Sequence, residues 1–236
     1  MIAKLYEHLR DEVSRLSFPC MVYNPLNYAW DGFMKYLALL PEHPRVVFLG
    51  MNPGPWGMAQ TGIPFGEIEA VREFLGIKEI RITPPQATHP SYPVRGLQCS
   101  RSEVSGKRLW GLFRERFGSA EVFFREHAVL NYCPLMFLNV SADGRARNLT
   151  PDRLAKSDRE GLFALCDECL RKVIASMRPE VVVGVGSFAE SRARESLQGL
   201  DVRVVKILHP SPASPASNNG WAGKVTGQLI DLEVWQ

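Results

Sequence analysis

Four short apolar runs constrain this chain more than any other feature: RVVFLG (45–50), HAVLNY (127–132), VVVGVG (181–186) and VRVVKIL (202–208). Each is strand-sized and mostly β-branched or aliphatic, which predicts buried strands. Stretches with helical spacing lie between them: 67–75 and 107–117, then about 151–177, then 188–197. Apolar strands that alternate with helices predict a parallel sheet covered on both faces, so the fold class is α/β, with a four-stranded parallel sheet between helices. Ile2, Leu5, Tyr6, Leu9, Val13 and Leu16 predict a further helix over 2–16; others are expected over 31–40 and 221–234. The segments 77–104 and 133–150 read as irregular. No Ser/Gly-rich linker and no repeat interrupts the chain, so one domain spanning 1–236 is expected.

Several function classes fall away on composition. Hydrophobic residues make up 45% and charged residues 22%, which suits a globular chain and not a disordered one. No apolar run approaches the ~20 residues of a membrane helix, and the mixed charges of MIAKLYEHLRDEVSRL do not form a secretory signal, so no membrane partner is expected. A formal charge of +3 permits nucleic-acid binding without arguing for it. The five cysteines make no disulfide framework for a chain this long, which suggests a reducing compartment. Cys166 and Cys169 form a CxxC, but on an amphipathic helix and without further soft ligands nearby in sequence, so buried thiols are favoured over a metal site. The histidines show no paired ligand spacing, and no metal is expected.

Ligands of open α/β sheets bind beyond the carboxyl ends of the strands. Three of those exits carry unusual residues. After the first strand, GMNPGPWGMAQTGIPFGE (50–67) interleaves glycine and proline with Met51, Trp56, Met58, Ile63 and Phe65, and holds the amides Asn52 and Gln60. Glycine permits close backbone approach and proline fixes the path, so the loop suits a narrow, apolar ligand wall. It is neither a dinucleotide fingerprint nor a P-loop, because the glycine spacing is wrong and no GK[ST] follows. The second exit puts Asn131 in an apolar run, where an amide can read the edge of a planar base or tie loops together. The fourth exit, VVKILHPSPASPASNNGW (204–221), sets His209 before a stiff Ser/Pro/Ala/Asn loop. A histidine there can donate to an anion or carry a proton, and such a loop can hold a duplex step open.

With these exits in view, the sequence resembles the single-strand-selective monofunctional uracil-DNA glycosylase family of the uracil-DNA glycosylase superfamily. The matching segments are GMNPGPWGMAQTGIPFGE (50–67), SRSEVSGKRLWG (100–111), NYCPLMFL (131–138), GVGSFAESRAR (184–194) and HPSPASP (209–215), in family order. The resemblance implies a hydrolase that excises uracil, and 5-substituted or other deaminated bases, from single- and double-stranded DNA. It further implies that Asn52 positions the attacking water and that His209 stabilises the departing uracil. Asn131 would bind the uracil edge, Phe65 would stack on the extruded base, Met51 would offer backbone contacts, and Gly54 and Met58 would shape the wall near the pyrimidine 5-position. Pro210, Ser211, Pro212, Ala213 and Ser214 would form the DNA wedge. The family pattern has an arginine directly after HPSP, where this chain has Ala213. Neither 50–67 nor 209–223 holds a lysine, so a Schiff-base lyase step has no nucleophile in these two loops. The protein is therefore expected to be a cofactor-free monomer, in the cytoplasm of a bacterial-type cell or a eukaryotic nucleus. Two alternatives remain on the sequence alone: a base-sensing module that does not cleave, and an iron–sulfur superfamily member using Cys166 and Cys169.

Overall fold

The computed structural model describes residues 1–236. α1 (Ile2–Val13), β1 (Met21–Tyr23), α2 (Pro25–Tyr28), α3 (Trp30–Leu37) and β2 (Val46–Gly50) lead into α4 (Met58–Thr61), α5 (Val104–Phe117), α6 (Ala120–Phe123) and β3 (His127–Asn131). There follow β4 (Met136–Val140), β5 (Ala146–Leu149), α7 (Lys156–Met177), β6 (Val181–Val185), α8 (Ser187–Ser196), β7 (Arg203–Ile207) and α9 (Trp221–Asp231).

The four apolar runs pair as one parallel sheet in the order β3-β2-β6-β7. Successive strand side chains point to opposite faces, so an all-apolar strand must be covered twice. Val46, Phe48, Val129, Val181 and Val183 enter a core with Leu109, Trp110 and Phe113 of α5, Phe123 of α6 and Val225 of α9. On the other face, Val47, Leu49, Ala128, Leu130 and Val182 pack with Leu9 and Val13 of α1, Leu170 and Val173 of α7 and Ala189 of α8. Cys166 and Cys169 belong to this second core, where burial pushes both thiols up, Cys169 to about 12. No group of three or more His, Cys, Asp or Glu side chains that could hold a metal ion occurs. No helix is long and apolar enough to cross a membrane.

The segment 133–150 departs from the irregular reading. It supplies β4 and β5, which join β1 in a separate antiparallel sheet of order β1-β4-β5. Met136, Phe137 and Leu138 of β4 are buried, whereas β5 is the polar ARNL, half-buried or exposed throughout. The legible signal was Asp143–Gly144, a turn pair in which Gly144 takes φ 78°. The stretch 67–75 forms one π-helical turn, Ala70–Phe74, and not an α-helix. Glu67 accepts from the Ala70 amide, and the Leu75 amide reaches back to the Ala70 carbonyl. The helix expected from about 151 starts as α7 at Lys156, after a 3₁₀ turn over Pro151–Arg153.

β2 pairs with β3 on one side and β6 on the other, so the topology reverses between β2 and β6. A crevice therefore opens beyond their carboxyl ends, flanked by the exits of β3 and β7.

Candidate active site

That crevice is a cavity of about 260 Å³, near the lower end of the ~300–1,000 Å³ range of small-molecule clefts. Met51, Asn52, Gly54 and Phe65 line it from the loop after β2, Asn131 from the end of β3, and His209 and Ser211 from the exit of β7. The three strand exits marked in the sequence thus meet at one place. Pro210 is buried beside the cavity, Ser214 is half-buried, and Pro212 and Ala213 are exposed at the loop tip. Met58 is buried behind the wall and reaches the site through Asn131.

The β2–β3 register sets the spacing of the amides. Gly50 pairs with Asn131, and a Cβ at Gly50 would lie 2.3 Å from Asn131 Oδ1 and 2.5 Å from Phe65 Cε2. Only glycine lets these two side chains converge. Asn131 donates from Nδ2 to the Met58 sulfur at 3.2 Å, while its Oδ1 is buried without a partner. A buried amide oxygen left unpaired is costly, so this one is available to accept from a ligand N–H. Phe65 adopts φ 52°, in the left-handed region that non-glycine residues rarely enter. Its carbonyl sits so close to α5 that a Cβ at Gly106 would meet it at 2.2 Å.

Asn52 is oriented from the β3 side. Its Nδ2 donates to the Leu135 carbonyl at 3.1 Å, which leaves Oδ1 as the free acceptor. The Cys133 and Tyr132 amides donate to the Met51 and Gly50 carbonyls at 2.8 and 2.9 Å and tie the two exits together. Gln60, the loop's other amide, is structural. Its Nε2 donates to the Pro55 and Pro93 carbonyls and its Oε1 accepts from the Arg95 amide.

The tautomer of His209 follows from one bond. The Ser211 amide donates to Nδ1 at 3.0 Å, so a neutral ring carries its proton on Nε2. Desolvation lowers the His209 pKa from its ordinary 6.5 to about 4, so the ring is a neutral donor near neutrality. Gly186, at the exit of β6, has φ 91°, and a Cβ there would lie 3.1 Å from His209 Cβ and 3.2 Å from Cδ2. The third exit thus serves the site as a floor under the histidine. The loop beyond His209 is fastened as well: Arg108 donates to the Pro210 carbonyl at 2.8 Å, Trp221 Nε1 to the Leu208 carbonyl at 2.9 Å, and Asn218 to the Pro212 carbonyl at 3.1 Å.

Four lining residues were not marked in the sequence: Glu103, Ser105, Asn148 and Thr150. Asn148 and Thr150 arrive with β5, which had read as loop. Glu103 precedes α5 and has the ordinary appearance of a helix-start carboxylate. Burial pushes its pKa up to about 7, with Glu67 adding to the rise, while the Trp56 and Gly57 amides pull the other way. At the rim, Trp56 stacks on Tyr92 at 5.5 Å and carries the Arg101 guanidinium 4.3 Å over its ring.

The family model of the uracil DNA glycosylase superfamily matches residues 37–225, which include every residue that lines the cavity. The single-strand selective monofunctional uracil-DNA glycosylase of Rattus norvegicus is 48% identical over 230 residues, covering 95% of this chain and 81% of its own. The chain belongs to this glycosylase family. The Bos taurus single-strand selective monofunctional uracil DNA glycosylase is 47% identical over 236 residues, covering 97% of this chain and 85% of its own. A solved structure of wild-type Pedobacter heparinus SMUG2 superposes with a TM-score of 0.70 at 19% identity and covers 99% of both chains, a likeness of fold. Family membership of this glycosylase agrees with its α/β architecture.

Proposed function

We propose that this protein is a monofunctional DNA glycosylase that hydrolyses the N-glycosidic bond of uracil in DNA and leaves an abasic site. The observation that carries the reading is the convergence in one cavity of a free amide acceptor on Asn52, an unpaired amide oxygen on Asn131 and a neutral Nε2–H donor on His209.

A uracil inside the stack must be extruded to reach such a cavity, at a cost of a few kcal/mol that a single strand largely avoids. Stacking on Phe65 offsets about 1–3 kcal/mol of that cost. Asn131 Oδ1 accepts from the base N3–H, an edge that cytosine lacks in its ordinary tautomer. The N1–C1′ bond breaks with its electron pair leaving on uracil. His209 Nε2–H then donates to the developing oxyanion, a fixed donor of the kind that contributes roughly 3–4 kcal/mol in a water-poor site. Asn52 Oδ1 holds a water against C1′; an amide is no strong base, so the water bonds to the cation-like sugar and sheds its proton to the departing base or solvent. No lysine lines the cavity, which supports hydrolysis over a Schiff-base lyase route.

The loop 209–217 acts as the DNA wedge in this reading, with the small Ala213 at its exposed tip. The protein works as a monomer in a reducing compartment and needs no cofactor. Uracil in single- and double-stranded oligonucleotides should be released with EDTA present, giving alkali-labile abasic sites. An unaltered strand after prolonged incubation would remove the enzymatic reading in favour of a base-binding module.

A further inference from the structure

The aromatic stack at the rim of the cavity is pinned from several segments, and the mechanism above does not use it. Trp56 and Tyr92 stack at 5.5 Å with 13° between their planes, and the Arg101 guanidinium lies 4.3 Å from the centre of the Trp56 ring. Gln60 ties the neighbours of both rings together, because its Nε2 donates to the Pro55 and Pro93 carbonyls. The Tyr92 carbonyl accepts from the Tyr23 hydroxyl at 3.0 Å, and the Tyr92 hydroxyl reaches the Ala146 carbonyl at 3.5 Å. Around Arg101, the Cys99 thiol donates to the Arg101 carbonyl at 3.7 Å and the Ser102 hydroxyl to Glu67 at 2.6 Å. The stack adjoins the cavity through Pro55, next to Trp56, and through Asn148, two residues beyond Ala146, both of which line it.

Arg101 is the exposed member of the stack. Arg145 pairs with Asp143 and Arg108 donates to the Pro210 carbonyl, whereas the Arg101 guanidinium has neither an ion pair nor a hydrogen bond within the fold. The carboxylates near it in sequence and space are turned away. Glu67 accepts from Ser102 and from the Ala70 amide, and Glu103 lies behind Gly54 and Gly57, where a Cβ would fall 2.0 and 2.6 Å from its Oε2. A cation–π contact uses no N–H, so the donors of Arg101 stay free while the ring holds its side chain in place. DNA brings the matching group to this rim. When a base enters the cavity its sugar stays at the mouth, and the phosphates on its 5′ and 3′ sides run along the rim. We infer that Arg101, held over Trp56 and Tyr92, binds one of these two phosphates of the target strand. The inference rests on the glycosylase reading and adds the backbone contact that holds the strand at the cavity. A planar guanidinium can both lie on the ring and fork onto phosphate oxygens. The contact reads no base, and it serves single strands and duplex alike because both contain the target strand.

The test uses the full chain and a single-stranded oligonucleotide with one 2′-fluorinated deoxyuridine, whose glycosidic bond resists hydrolysis because fluorine disfavours a cation-like sugar. Binding is measured against salt for wild type, Arg101→Ala and Arg101→Lys, with each flanking phosphate replaced in turn by an uncharged methylphosphonate. Arg101→Ala should weaken binding roughly three- to tenfold at low salt, and should lower the slope of log Kd against log salt by about 0.7, the value for one phosphate on a single strand. Arg101→Lys should keep most of the slope, since the charge remains. One of the two methylphosphonates should weaken wild-type binding by a similar factor and leave Arg101→Ala unaffected, because the two changes remove the same contact. A clamp that only braces the rim would lower stability without moving the salt slope. An unchanged slope in Arg101→Ala would overturn the inference, as would methylphosphonates that weaken the variant as much as the wild type. The glycosylase reading fails separately, if the wild type releases no uracil from an unmodified oligonucleotide.

Discussion

Replacing Gly186 by alanine isolates the positioning of His209 from its chemistry. At φ 91° the alanine is strained whatever the space around it, at roughly 1–3 kcal/mol for a conformation of this kind. Its Cβ would also lie 3.1 Å from His209 Cβ and 3.2 Å from Cδ2, whereas carbon atoms rest at about 3.5–4.0 Å. The ring must therefore move by a few tenths of an ångström. It cannot move freely, because Nδ1 is tied to the Ser211 amide and the next carbonyl, that of Pro210, is held by Arg108. A misplacement of about 1 Å at a reacting centre costs ~10²-fold, so a smaller one should slow uracil release by about tenfold. Single-turnover release with enzyme in excess measures the chemical step, and urea unfolding measures the strain in parallel. A variant with the expected loss of stability and an unchanged single-turnover rate would refute the claim that Gly186 sets the catalytic position of His209.

Asn131→Asp should weaken uracil release and shift preference toward cytosine, because a carboxylate accepts from the cytosine amine but offers O4 no donor; competing release from uracil and cytosine oligonucleotides reads this, and an unchanged base profile would contradict it. Single-turnover uracil release should persist as the pH falls from 8 to 5, because the His209 pKa lies near 4 and the neutral donor survives; a loss centred at 6.5 would count against a buried, neutral His209. Stability behaves differently, since the unfolded chain takes up protons at His127 and His209 from about pH 6.5 while the folded chain refuses them down to about 4, so the unfolding free energy should decline with falling pH across that window. Ala213→Arg should raise activity on duplex relative to single-stranded uracil DNA, because an exposed arginine at the wedge tip can fill the vacated stack and contact phosphate; an unchanged ratio would mean that the tip does not meet the duplex.

The central sheet was legible because its strands are buried on both faces and so read as continuous apolar runs, with edges matching the observed strands to within a residue. β4 and β5 were not, because the apolar stretch Leu135–Leu138 follows Cys133–Pro134 directly and breaks off at Asn139, β5 is a polar edge strand, and the hairpin signal between them is two residues long. The candidate site divides in the same way. Asn52, Asn131 and His209 stood out as polar residues at strand exits, where topology alone brings loops together. Glu103 did not, since a glutamate before a helix is ordinary and only the glycines at 54 and 57 bring it into the wall. Gly186 looked like the end of a strand, and its role appears only when the β7 exit lies above it. Gln60 was conspicuous in sequence for the same reason as Asn52, yet its hydrogen bonds are all spent on holding the loop.

The most direct test is the single-turnover rate of uracil release by wild type, Asn52→Ala and His209→Ala, with binding of uracil-containing DNA measured in the same preparations. If the two side chains orient water and stabilise the departing base, each substitution should slow release by about 10²–10³-fold, the cost of losing a preorganised group of this kind, while DNA binding persists. Near wild-type rates in both variants would contradict the account at its centre.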